Sequence, residues 1–205
     1  MYNSMVPLWC LVAYLWVAIR SGISPLEFDV RVVEIATSAL PVVILIILYV
    51  RWIRFSNSAY ILMTILPIMH AIGAHYTFAN VPSKWLSDLF ATDRNMYDRV
   101  AHASVWLYTY GICELIDNLK LTKSTIFKVC FSLFAIISLA AVYELFEWNY
   151  AISGNKDAGI AVLGSQGDER DAQKDMLMDT IGAIIGIWLY FLSHLWITTK
   201  KLKTS

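Results

Sequence analysis

Ala141 to Thr180 reads AVYELFEWNYAISGNKDAGIAVLGSQGDERDAQKDMLMDT and joins the end of one apolar segment to the start of the last. Glu144 and Glu147 stand three apart at its beginning, and Asp171, Asp175 and Asp179 follow one another in steps of four at its end. Helical geometry puts each set on one face. A carboxylate costs roughly 2.5–3.5 kcal/mol at the centre of a spanning helix, and less near its ends, so a partner must offset these groups. Five acids on two facing helices therefore predict an inward-facing polar site in an otherwise apolar bundle.

The composition supports the membrane setting. Of 205 residues 58% are hydrophobic and 16% charged, and the mean hydropathy is +0.57, well beyond an average soluble domain. A formal net charge of zero argues against nucleic acid as a partner, because phosphate binding needs an excess of Lys and Arg. Cys10, Cys113 and Cys130 fall singly in apolar segments; they are expected to pack, without a disulfide framework or a thiolate metal site.

Outward from the acidic stretch, the hydrophobic runs predict an all-α, polytopic transmembrane bundle. It forms a single domain over 1–205 with about six spans, at roughly 6–20, 32–50, 59–79, 96–118, 127–151 and 172–198. Residues 80–95 form a polar connection in which Trp85 and Leu86 suggest a short interfacial helix, and residues 154–168 are expected to be a glycine-bearing loop. Six alternating spans place both termini on one side, with the short basic turns at Arg51/Arg54 and Lys120–Lys128 and the lysine tail. The sixteen Lys and Arg divide evenly between the sides. The short-turn residues carry the positive-inside signal, which makes that side cytoplasmic in a bacterial inner membrane.

The same alternation brings separately encoded polar groups to the opposite face. His70 and His75 end the third span, Asp98 and His102 open the fourth, Glu144 and Glu147 end the fifth, and Asp171 to Asp179 open the sixth. Glu114 and Asp117 are the acids at the cytoplasmic ends. Such segregation points to a shared extracytoplasmic site.

Four strings in order, HAIGAHYTF, RNMYDRVAH, YELFEWNYA and LGSQGDERDAQKDM, resemble the motifs of the bacterial YjdF-like inner-membrane proteins, a domain family of unknown function. The resemblance covers about Pro67 to Gly182 and implies a small multi-spanning inner-membrane protein without implying a reaction. Within the acidic loop it singles out Gln166, Asp168, Asp171, Gln173 and Asp175 ahead of Glu169 and Arg170.

Carboxylates with one or two imidazoles suit Zn, Mn or Fe, and bundle sites draw such ligands from facing helices. The candidate ligands of a divalent metal are Asp98, His102, Glu147, Asp175, Asp179 and His70. If the metal serves an enzyme acting on a lipid or lipid-linked substrate, Glu144 or Glu147 supplies the general base, Arg99 stabilises developing negative charge, and Arg94, Gln166, Asp168, Asp171 and Gln173 bind substrate. One ion with bonds of about 2 Å requires the carboxylates of Asp98, Glu147 and Asp175 to lie well within 10 Å of one another.

Two other readings stand beside it. A small cation transporter would use the acids as an outward entry, yet the inner halves of the helices are nearly all apolar, with Ser132, Ser138 and Thr109 as a thin hydroxyl route. A non-catalytic structural or partner-binding protein would close the same face with an ion-paired lid in which Arg94, Arg99, Arg170 and Lys174 answer Asp98, Glu144, Glu147 and Asp175. Seven acids at positions 98, 144, 147, 168, 171, 175 and 179 exceed those four cations, which favours an added cation or protonated carboxylates. Gly182 and Gly186 form a small-xxx-small pair for close packing inside the monomer. Trp9, Trp52, Trp148 and Trp196 suit membrane interfaces. His194 is expected to be interfacial, with Asp157 and Glu169 solvated.

Overall fold

The helices of this chain bury small and polar residues and turn their large apolar ones outward, as a bilayer-facing bundle does. Trp16, Ile126, Leu139, Val142 and Trp188 are all exposed, while Ala59, Ala71, Ala74, Thr109, Ser132 and Ala183 are buried. The computed structural model describes residues 4–153 and 156–204, the side chains of 156–158 and 196–204 excepted; Asp157, Trp196 and the lysine tail therefore lie outside the described side chains.

In chain order the helices are α1 (Val6–Arg20), α2 (Phe28–Val50), α3 (Asn57–Tyr76), α4 (Lys84–Leu89), α5 (Tyr97–Ala103), α6 (Trp106–Asn118), α7 (Thr125–Ser153), α8 (Lys156–Leu163) and α9 (Asp171–Thr204), with a 3-10 turn at Phe78–Asn80. Among the described residues, α2, α3, α7 and the Asp171–Leu195 part of α9 are long and apolar enough to cross a membrane, and α1 is a shorter apolar helix. Pro7 opens α1, where its missing N–H costs nothing, and Ser56 caps α3 by accepting from the Ala59 N–H at 3.2 Å.

Two expectations are corrected. The stretch 96–118 is not one helix: between α5 and α6 the backbone changes to i→i+3 bonds, with Leu107 N–H donating to Ser104 O at 3.0 Å and Tyr108 N–H to Val105 O at 2.9 Å. The Ser104 hydroxyl donates back to Ala101 O at 2.7 Å, a competing bond of the kind that interrupts helices. The loop assigned to 154–168 contains α8, because Val162 buries itself against Val30 and Tyr150. Gly159 lets α8 approach α7: a Cβ there would come within 2.7 Å of Ala151 Cα. The short helix expected between 80 and 95 is α4, whose Trp85 and Leu89 are exposed.

The main core lies where α3, α6 and α9 meet, around Ala59, Met63, Tyr110, Cys113, Ile187 and Tyr190. Gly182 and Gly186 press α9 directly onto the backbone of the α5–α6 junction, with Ala103 O and Trp106 O as the nearest atoms, the intramolecular close packing their spacing predicts. Cys113 is buried beside Ser132 (3.3 Å); Cys10 is half-buried and Cys130 exposed, and all three thiols are free.

Candidate metal centre

The inward faces of α5, α7 and α9 are acidic because the steps of three and four read in the sequence do converge. Glu144 and Glu147 on α7, Asp171, Asp175 and Asp179 on α9, and Asp98 on α5 are all buried. At their centre stands His102. Its Nδ1–H donates to Asp179 at 3.0 Å; a carboxylate can only accept, so this bond fixes the proton and leaves Nε2 facing the other acids. Around Nε2 lie Asp98 Oδ1 at 3.7 Å, Glu144 Oε1 at 3.9 Å and Asp175 Oδ1 at 3.9 Å. One ligand atom each from Asp98, His102 and Asp175 falls within 4.8 Å of the others. Glu144 Oε1 is buried and accepts no hydrogen bond.

Behind this group, Arg99 is buried and donates to Asp171 Oδ1 at 2.5 Å and Asp171 O at 3.1 Å. It also pairs with Asp175 and, at 3.4 Å, with Asp168. Arg94 meets Asp171 at 2.7 Å and Asp98 at 3.5 Å. The ion pairs therefore run from α5 and the loop before it to α9. Among the described ion pairs neither Glu144 nor Glu147 meets an arginine or a lysine, unlike the lid anticipated for them. Lys174 pairs with Asp168 at 2.5 Å; that ammonium and the Arg170 N–H hold the Asp168 carboxyl below the usual carboxylate range. Glu169 and Arg170 are exposed.

Several residues predicted to meet substrate are occupied otherwise. Gln166 and Asn95 bond reciprocally, Asn95 N–H to Gln166 Oε1 at 2.9 Å and Gln166 Nε2 to Asn95 O at 3.0 Å. Arg94 donates to the carbonyls of Ser165 (2.6 Å) and Gly164 (3.3 Å). These bonds clasp the α8–α9 loop, which turns through left-handed conformations at Gly164, Gln166 and Gly167, onto the approach to α5. Gln173 points away from the cluster side of α9 and is exposed. Glu147 is buried within electrostatic reach of His102, Asp98 and Glu144 but outside the three-ligand group.

His70 is not in that group either. Its Nδ1–H donates to Glu34 at 2.9 Å, and Tyr143 bridges the two histidines, its ring 5.9 Å from His70 and 6.0 Å from His102. Neither Glu34 nor Tyr143 was among the residues read from the sequence. A signal for Glu34 was present: Val30, Glu34 and Ser38 recur every four residues and form the buried face of α2. His75 donates to Ser21 O at 3.3 Å, and His194 Nδ1 lies 2.9 Å from Tyr190 O.

Seven buried carboxylates, Glu34 included, thus face two guanidinium groups and two imidazoles. Such an excess in a low-dielectric setting demands a further cation or shared protons.

Over residues 6–195 the chain matches the family model described as predicted membrane protein (DUF2238). It is 30% identical over 173 residues to the inner membrane protein YjdF of Escherichia coli strain K12, covering 82% of this chain and 80% of that relative. No solved structure matches. The likeness that four motifs carried over the second half of the chain thus extends to the first two helices, and the chain belongs to the DUF2238 family of predicted membrane proteins.

Proposed function

We propose that this membrane protein holds a divalent metal ion, zinc, manganese or iron, between His102 Nε2, Asp98 and Asp175, with Glu144 as the adjoining carboxylate. The observation that carries the reading is the disposition of His102: one nitrogen is fixed by Asp179, and the other faces three carboxylate oxygens at 3.7–3.9 Å. Bonds of about 2.0–2.2 Å set neighbouring ligands of a tetrahedral site about 3.3–3.6 Å apart, so a small contraction closes the group on an ion. Asp179 then acts as the orienting partner that metal-bound histidines commonly have, and Arg99 positions Asp171 and Asp175.

Such an ion would supply Lewis acidity and an activated water. Glu144 is the carboxylate placed to take a proton beside it. The substrate class that fits a site buried at one end of the spans is a lipid or lipid-linked molecule. The basic turns support an extracytoplasmic position for this end, with both termini cytoplasmic. A transport path receives less support: Glu114 is engaged with the Ser56 cap of α3, Asp117 is held by Lys128 and Tyr190, and Ser132 is engaged with Cys113.

Elemental analysis of the detergent-purified protein tests the reading. Wild type is expected to carry close to one transition-metal ion per chain, with at least tenfold less in Asp98→Asn, His102→Gln and Asp175→Asn. Folded wild type that stays metal-free after incubation with Zn, Mn and Fe salts overturns it in favour of the ion-paired lid.

A further inference from the structure

A cavity of about 760 Å³ descends from this cluster, within the roughly 300–1,000 Å³ of pockets that enclose a small-molecule ligand. Its upper end is lined by Asp98, His102, Asp179, His70 and Tyr143, and its lower end by Leu48, Phe55 and Leu115. Between them the wall is mostly hydrocarbon, with Thr37, Ser38 and Tyr108 as its polar-bearing residues. Along α2 it runs from Ala36 to Leu48, about 18 Å at 1.5 Å per residue, slightly more than half of the roughly 30 Å hydrocarbon core.

One side of this cavity is open. Helix α2 packs on α3, and α7 packs on α9 and α8, whereas among the described residues α2 and α7 share no extensive direct contact. The edges they leave, Leu40 and Ile44 on one helix and Leu139, Val142 and Phe146 on the other, line the cavity and are exposed. In a spanning bundle that slot faces lipid. Within it the Tyr108 hydroxyl is buried with no hydrogen-bond partner, a defect costing about 1–3 kcal/mol in an apolar wall. An ester or glycerol oxygen of an occupant would satisfy it.

We propose that the cavity seats one hydrocarbon chain of a membrane lipid, admitted sideways between α2 and α7, with its phosphate end at the His102 cluster. The position of the head rests on the metal reading, because only a bound cation makes so acidic a site attractive to a phosphate. The chain and the slot rest on the cavity alone. The lipid enters laterally from one leaflet, and its glycerol region passes Tyr108.

The test is equilibrium binding of radiolabelled 1-palmitoylglycerol 3-phosphate to Mn-loaded protein in detergent, beside 1-palmitoylglycerol and inorganic phosphate. The phosphorylated probe is expected to saturate at one per chain and to bind at least tenfold more tightly than 1-palmitoylglycerol, with no displacement by equimolar phosphate. Ala36→Trp, on the slot wall, is expected to weaken it at least tenfold while retaining its metal. Val43→Trp, exposed on α2 outside the cavity lining, should match wild type. Absence of saturable binding in metal-loaded wild type, or an Ala36→Trp protein that binds normally, overturns the proposal while the metal site stands. Equal affinity for both palmitoyl probes in protein that holds no metal overturns the head placement together with the metal reading. A mass showing two chains locked through the slot assigns it to a second copy and overturns the lipid.

Discussion

Gly182→Ala is expected to lose at least about 3 kcal/mol of stability, at the upper end of overpacking costs, read as a fall in thermal midpoint and folded yield in detergent. The added methyl would fall inside contact distance of Ala103 O, 3.2 Å from that carbonyl carbon and 3.5 Å from Ala103 Cα. None of these atoms can rotate aside, because they are the backbone of the α5–α6 junction. Gly186 repeats the contact one turn on, where a Cβ would reach Trp106 O and come within 3.0 Å of Thr109 Cβ. Ala103 follows His102 directly, so any retreat of α5 also spreads the carboxylates around the imidazole, and metal content should fall with stability. Gly111→Ala is the control: the atoms nearest its methyl all belong to the Met63 side chain, which can change rotamer where a backbone cannot move, and a smaller cost of about 1 kcal/mol is expected. If Gly182→Ala melts within about 1 kcal/mol of wild type, the close approach of α9 to the junction is wrong.

Arg99→Met is the second large effect. The guanidinium serves Asp171, Asp175 and Asp168 together, and removing one side of a buried pair typically costs about 3–5 kcal/mol, since the remaining charge is left uncompensated. Lysine should recover little, because a single ammonium cannot span carboxylates that a planar fork reaches at once. Adding Asp171→Asn to Arg99→Met should restore stability in part, with Arg94 still able to donate to the amide oxygen. A loss under about 1 kcal/mol for Arg99→Met in metal-free protein would mean that Asp171 and Asp175 are already neutral, and the charge argument for a bound cation would fall with it.

What the sequence disclosed and what it concealed follow from the physics of each signal. Apolar runs and the i, i+3 and i, i+4 spacing of the acids made the helices and the inward carboxylates legible, since periodicity is local. The interruption at Ser104 was hidden because a serine in an apolar run reads as helix unless its hydroxyl bonds backward, which only the backbone geometry reveals. Helix α8 was hidden by Gly159 and its small residues; its burial comes from Tyr150 at the end of α7 and from Val30, which is remote in sequence. Glu34 is a lone acid inside α2, away from the clustered acids at the span ends, although the i, i+4 recurrence of Val30, Glu34 and Ser38 carried its buried face. Which cation each acid would meet depends on helix rotation, and so Arg99 turned out to hold Asp171 and Asp175 while Glu144 faced the imidazole.

The reciprocal bonds between Asn95 and Gln166 decide where this chain can be cut and rejoined. With Arg94 they tie together two loops 70 and more residues apart, so a reporter inserted at 164–168 would break both partners at once. The turn at Leu121–Ser124 is exposed, and its bonds are local: Leu121 N–H to Ile116 O and Ser124 N–H to the Thr122 hydroxyl. An epitope tag placed there should leave the bundle folded, giving topology mapping a handle at the end of the molecule opposite the carboxylates.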